Sequence, residues 1–258
     1  MTAIELAPVL VEQTGSVRWI RLNRPRARNA LNPELIAALD AAIAAAMADE
    51  ETRIVVIAGA GPSFCAGADL RHLLALARSG EDPAAFLASI SDCFSRIERA
   101  AKPVVAAVHG HVVAGGLELA LVCDAVVARS GTLIGDGHVR QGLLPGAGAS
   151  LRLPRKVGEP FARWLMLTGE LVAVERFLAT GFVCSVVPPE EFEGQVEAVA
   201  ARLLAAGDGT HARVKELLAH RPDTDDALVR ELRTFGEHWR EHGVAASLTE
   251  FVERGRKG

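Results

Sequence analysis

The chain contains no tyrosine at all, so one common acid, base and oxyanion-donor side chain is absent from any mechanism it could run. Its cysteines are few and scattered. Cys65, Cys93, Cys123 and Cys184 form no C-x-x-C pair, so neither a disulfide framework nor a structural zinc site is expected, and the default is a reduced, cytoplasmic protein. No window approaches ~18 uncharged apolar residues, which argues against a membrane-spanning helix. The opening MTAIELAPVL lacks the basic region and long apolar stretch of a signal peptide. Charge of one sign is lacking too. The net charge is −4 with acids and bases interspersed, so neither nucleic acid nor an anionic membrane is the expected partner. The phosphate loop G-x-x-x-x-G-K-S/T is missing, and GAGPSFCAG is not followed by the helix and distant acid that a dinucleotide fingerprint needs.

What remains is the profile of an ordinary globular chain, 258 residues long and half hydrophobic. VRWIRL (17–22), RIVVIAG (53–59), KPVVAAVHG (102–110) and AVVARS (125–130) read as strands. The middle two are continuous apolar runs suited to burial on both faces. Helices are expected from Pro33 to about Asp49, with Asn32 as N-cap, over 84–100, and from GGLELALVCD. Ser79-Gly80 and Pro83 punctuate an irregular segment after residue 70. Strands alternating with helices indicate an α/β core. After Pro188-Pro189 the pattern becomes purely helical, roughly 190–206, 208–220, 224–240 and 244–254. The expected division is a core over 1–190 and a helical region over 191–258.

Small-residue loops carry the chemistry. "CAGAD" follows one buried strand and "VAGGLE" follows another, and a third loop, "LLPGAGAS" (143–150), lies further on. Such loops can simply allow tight turns. They can also bring free N–H groups to a ligand, and two converging loops would make an oxyanion hole from backbone donors alone. Glu118 interrupts an apolar helix, and a buried acid is costly unless it is satisfied or has a task. Cys65 has no evident base nearby and reads as a small hydrophobe.

"LNRPRARNALNPEL" (22–35), "SFCAGADL" (63–70), "KPVVAAVHGHVVAGGLELALVCD" (102–124), "GLLPGAGASLRLPRKVG" (142–158), "LTGE" (167–170), "VVPPEEF" (186–192) and the basic tail "FVERGRKG" together resemble the crotonase family, the enoyl-CoA hydratase/isomerase superfamily, over nearly the whole chain. The resemblance implies a spiral of ββα units followed by a helical region that builds homotrimers, often paired as a dimer of trimers. It implies an acyl-CoA thioester as substrate, with coenzyme A as part of that substrate and no other cofactor or metal. The thioester oxygen would lie between the amides of Ala68 and Gly115. Contacts to CoA would fall on Arg26, Ala27, Arg28, Ala66, Asp69, Leu70 and Arg71.

The chain departs from the family pattern at one telling position. Typical hydratases place a glutamate on the helix after the second oxyanion loop and another about twenty residues later. Glu118 matches the first, but His138 in "IGDGHVRQG" stands at the second, two residues after Asp136. An imidazole titrates near neutral pH and could replace the second acid, hydrogen-bond a substrate oxygen, or stand as a neutral wall residue. If the segment is extended, Asp136 and His138 point the same way, and the aspartate could orient the ring. A Glu118/Asp136/His138 metal cluster has no support from the resemblance. Ala114 stands where many relatives have glycine, and His109 and His111 read as structural. Trp164, Phe182, Phe235 and Trp239 are core or pocket candidates. The expected activity is addition of water to an enoyl-CoA, or its reversal, with Glu118, His138 and Asp136 as catalytic residues. Isomerase, decarboxylase or thioester hydrolase chemistry, or acyl-CoA binding without catalysis, are the alternatives.

Overall fold

The computed structural model describes residues 7–206, 210–219, 224–241, 248–250 and 252–253. In chain order the elements are β1 (Val9–Thr14), β2 (Val17–Leu22), α1 (Pro33–Ala48), β3 (Ile54–Gly59), α2 (Leu70–Ser79), α3 (Ala84–Glu98), β4 (Val104–Val108), β5 (His111–Val113), α4 (Gly115–Leu121), β6 (Ala125–Arg129), β7 (Leu133–Gly135), α5 (Ala149–Val157), α6 (Glu159–Thr168), β8 (Val172–Ala173), β9 (Ser185–Val187), α7 (Phe192–Ala205), α8 (Thr210–Ala219) and α9 (Thr224–Glu241). No helix among the described residues is long and apolar enough to cross a membrane.

The main sheet runs β1-β2-β3-β4-β6-β9. Only the β1–β2 pair is antiparallel; every later pair is parallel. The apolar runs of β3 and β4 follow from burial on both faces. Val55, Ile57, Val104, Ala106 and Val108 face one core, against α1, α3 and α4. Ile54, Val56, Ala58, Val105 and Ala107 face a second core, closed by Val196, Val199 and Ala200 of α7. Each such fully buried Val or Ile contributes about 1.5–3 kcal/mol. A second, smaller sheet, β5-β7-β8, runs beside the first, giving the spiral of ββα units that the resemblance implied.

Local signals explain several boundaries. The Asn32 side chain accepts from the Leu35 amide at 3.1 Å, and Pro33 opens α1, as expected. The irregular segment expected after residue 70 is instead a helix, α2. Asp69 caps it by accepting from the Arg71 amide at 3.0 Å, and Gly80 stops it at φ 74. Ser79-Gly80 is thus the end of a helix rather than punctuation in a loop. Strands β5, β7, β8 and β9 are two or three residues long, too short to show periodicity. The helix expected over 244–254 falls mostly outside the described residues.

Candidate active site

Three segments are sewn side by side. Ala66 N donates to Arg28 O (3.0 Å), Leu31 N to Gly67 O (2.8 Å) and Asp69 N to Leu31 O (2.7 Å), while Cys65 N donates to His111 O (3.2 Å) and Val113 N to Cys65 O (3.1 Å). This ladder uses the Gly67 carbonyl and the Asp69 amide on either side of Ala68, and because Gly67 O points into it across a trans peptide, the Ala68 N–H points away. Gly115 is the first residue of α4, where amides have no intrahelical acceptor. Neither amide donates to a backbone carbonyl among the described residues. They are neighbours: a methyl group placed on Gly115 would lie 3.5 Å from both Ala68 N and Gly67 Cα. Two adjacent unengaged amides, one of them at a helix start, can hold a developing negative charge. Ala114, just before them, has φ 51 and ψ −119, a conformation costing of order 1–3 kcal/mol for a residue with a side chain.

The candidate CoA contacts gather around the same edge. Arg26 and Ala27 lie in a short 3₁₀ turn that ends at Arg28, which holds the Ala66 amide. Ala66, Ala68, Asp69 and Leu70 are half-buried, while Arg26, Arg28 and Arg71 are exposed. Asp69 has structural work of its own, since it caps α2 and pairs with Arg24 at 2.9 Å. Asn29, which sequence reasoning overlooked, anchors the turn. Fully buried, it donates to Ala60 O (2.9 Å), Ser63 O (2.8 Å) and Phe64 O (3.1 Å) and accepts from Arg24 N (2.8 Å), each such bond worth about 1 kcal/mol net.

One turn along α4 from Gly115, Glu118 belongs to a cluster of titratable groups. It is 3% exposed. Its Oε1 accepts from Ala147 N at 2.9 Å and Ala149 N at 3.0 Å, and its Oε2 lies 3.9 Å from His138 Nε2. The His138 Nδ1 in turn donates to Asp136 Oδ2 at 3.1 Å. The expected Asp136–His138 pair therefore forms, but by another backbone route. The segment is not extended: Gly137 adopts φ 70 and His138 opens a 3₁₀ turn, so the two side chains meet across a turn.

Burial pushes the Glu118 carboxyl up to about 7, with Glu231 and Asp136 adding repulsion while His138 and the Ala149 amide oppose it. For His138 burial works against the charge, but Asp136, Glu118 and Glu231 together outweigh it and raise the imidazole to about 9. Between these values the pair is a carboxylate beside an imidazolium, able to take one proton and give another.

The third small-residue loop has a different role from the other two. Its amides open α5 and serve two carboxylates: Ala147 and Ala149 donate to Glu118, and Gly148 and Ser150 donate to Glu231. Glu231 of α9 went unnoticed in the sequence. Its signal resembles that of Glu118, an acid inside an apolar helical stripe, here Leu228, Leu232 and Phe235. Arg152 of α5, also overlooked, is buried, donates to Ala147 O at 2.8 Å and grips Glu98.

The remaining candidates sort plainly. Burial pushes the Cys65 thiol up to about 12, which leaves it a small hydrophobe. His109 Nε2 donates to Gly61 O at 2.9 Å, and His111 Nδ1 meets Ser63 Oγ at 3.4 Å, both structural links. Phe182 packs on Phe177, and Phe235 on Trp239, within the core. Trp164 lies outside the core; it is 52% exposed on α6 and donates to Glu170 at 2.9 Å.

The profile of the family described as Enoyl-CoA hydratase/isomerase matches residues 12–257. Crotonyl-CoA hydratase of Syntrophomonas wolfei is 33% identical, over 95% of each chain. Short-chain-enoyl-CoA hydratase of Clostridium acetobutylicum is 32% identical, over 97% of each. The crystal structure of an enoyl-CoA hydratase from Mycobacterium avium subsp. paratuberculosis superposes with a TM-score of 0.85 at 29% identity, over 95% of this chain and 98% of that one. With its fold, order of motifs and length all shared, the chain belongs to the enoyl-CoA hydratase/isomerase family.

Proposed function

We propose that this protein hydrates a trans-2-enoyl-CoA to the 3-hydroxyacyl-CoA and runs the reverse dehydration. The observation that carries this reading is the buried Glu118–His138–Asp136 array beside the unengaged amides of Ala68 and Gly115. The thioester oxygen sits between the two amides, which stabilise the enolate as it forms. The Glu118 carboxylate takes a proton from water while the water oxygen bonds to C3. The electron pair of the C2=C3 bond moves into the thioester, and the His138 imidazolium returns a proton to C2. Asp136 orients the ring and holds its charge. Arg26, Arg28 and Arg71 meet the phosphates of CoA, while Ala27, Ala66, Asp69 and Leu70 line the path of its chain. The thioester and the two amides supply the activation, so the step needs no group beyond the CoA of the substrate. The exposed Val214, Leu217 and Leu218 of α8 support packing of copies into a homotrimer or a dimer of trimers.

A panel of enoyl-CoA and acyl-CoA thioesters read by mass spectrometry tests this. Crotonyl-CoA gains the mass of one water and loses its enoyl absorbance. An unchanged mass with a moved double bond would replace the reading with isomerisation, loss of carbon dioxide with decarboxylation, and binding without turnover with an inert acyl-CoA carrier.

A further inference from the structure

Glu231 is a buried acid that the proposed chemistry does not use. It sits on α9, far along the chain from Glu118, yet both carboxylates end on one helix N-terminus. Its Oε1 accepts from Gly148 N, and its Oε2 from Ser150 N at 2.8 Å and from Ser150 Oγ. The two glutamates thus take alternate amides of 147–150, Glu118 the odd positions and Glu231 the even ones. With three donors on its two oxygens, most of the acceptor capacity of Glu231 is committed to this loop, so it serves the loop rather than the substrate. His238, two turns further along α9, donates to Gly142 O at 2.7 Å. The helix therefore grips the 142–150 segment at both ends, and this segment follows the 3₁₀ turn that His138 opens.

We propose that Glu231 is a positioning residue: by anchoring the 147–150 amides from α9 it fixes the hydrogen-bond donors of Glu118 and sets the charge against which Glu118 and His138 exchange protons. This inference rests on the reading of Glu118 as the acid–base residue. The charged and titratable groups acting on Glu118 are His138 and Asp136 from the β7 turn, Glu231 from α9 and the Cys65 thiol; Arg152 of α5 binds the Ala147 carbonyl of the same loop and is tied to Glu98 of α3. Glu231 acts on both members of the pair in one sense. Its negative charge makes the Glu118 carboxyl harder to ionise and keeps the His138 proton more firmly bound.

The test compares Glu231→Gln and Glu231→Asp with the full-length protein, with melting temperature as a check on folding. In substrate-free protein the Glu118 carboxylate band is followed by infrared titration and identified by its disappearance in Glu118→Gln. The Gln variant keeps the side-chain length but removes the charge, and its midpoint is expected to fall by about half a pH unit or more. The Asp variant keeps the charge, and its midpoint should stay at that of the unsubstituted protein. In the turnover assay with crotonyl-CoA, kcat of the Gln variant is expected to drop about tenfold with KM little changed. The acid limb of its pH profile should shift down with the infrared midpoint. A Gln-variant midpoint that does not move, or an Asp variant shifted as far as the Gln variant, overturns the inference. If the unsubstituted protein leaves every enoyl-CoA untouched while the infrared midpoint still moves, the hydratase reading fails and the role of Glu231 in setting Glu118 stands.

Discussion

Replacing Glu118 with Gln lowers kcat for crotonyl-CoA hydration by about 10³-fold, inside the ~10²–10⁴-fold range of a positioned acid–base group, and leaves KM nearly unchanged. The magnitude follows from the side chain's surroundings. Glutamine still offers an oxygen to Ala147 N and Ala149 N, the two donors that hold Glu118, so the loop stays where it is. What disappears is a carboxylate that burial has raised to about 7. The melting temperature should hold or rise, because a buried charge facing Glu231 and Asp136 has been removed. Steady-state kinetics with a thermal melt reads both parts. A Gln variant retaining more than about a tenth of the rate would remove Glu118 from the proposed chemistry.

The second large effect is at His138. With the carboxyl near 7 and the imidazole near 9, kcat/KM should rise as pH climbs through the lower value, because the carboxylate is the required form. It should fall as pH climbs through the higher one, because the imidazolium is lost. The two midpoints belong to the coupled pair rather than to either residue alone. His138→Gln is expected to lower kcat about 10²-fold and to erase the alkaline limb while the acid limb survives. His138→Glu, which would place a glutamate at the family's usual second position, should also lose activity. The new carboxylate would stand beside Asp136, now 3.1 Å from the ring, and across from Glu118. A gain in rate from that substitution would argue that hydration is not the native task.

The contrast between Glu118 and Glu231 shows what a single sequence exposes. Glu118 follows a glycine pair and a buried strand, so its oddity stands out locally. Glu231 is equally out of place on an apolar face, yet its partners lie more than eighty positions away at Gly148 and Ser150, and no local pattern points to them. The buried strands β3 and β4 were readable because burial on both faces writes a continuous apolar run. Strands β5, β7, β8 and β9 were not, because they hold their places through pairing with distant segments. The Asp136–His138 pair was expected from an extended backbone and arises instead from Gly137 at φ 70. Residue types there identified the partners but left the path between them open. Asn29 illustrates the same limit, since an asparagine in an arginine-rich turn looks like any loop residue until three carbonyls are found around its amide.

The glycines between the two loops differ in what keeps them. A methyl group at Gly116 would press to 2.2 Å from the Cys65 carbonyl oxygen, and one at Gly67, already at φ 97, would meet Ala114 Cβ at 2.9 Å. The fold itself forbids both. At Gly115 the nearest obstacle is only the tip of Leu31, at 2.9 Å, and the next is the Ala68 amide. A side chain there is something the fold can absorb by moving Leu31, but it would stand in the space between the two amides. In a library of random variants screened for folding alone, Gly67 and Gly116 would survive and Gly115 would drift. Screened for turnover, all three would be retained, and the difference at one position would separate what selection keeps for shape from what it keeps for chemistry.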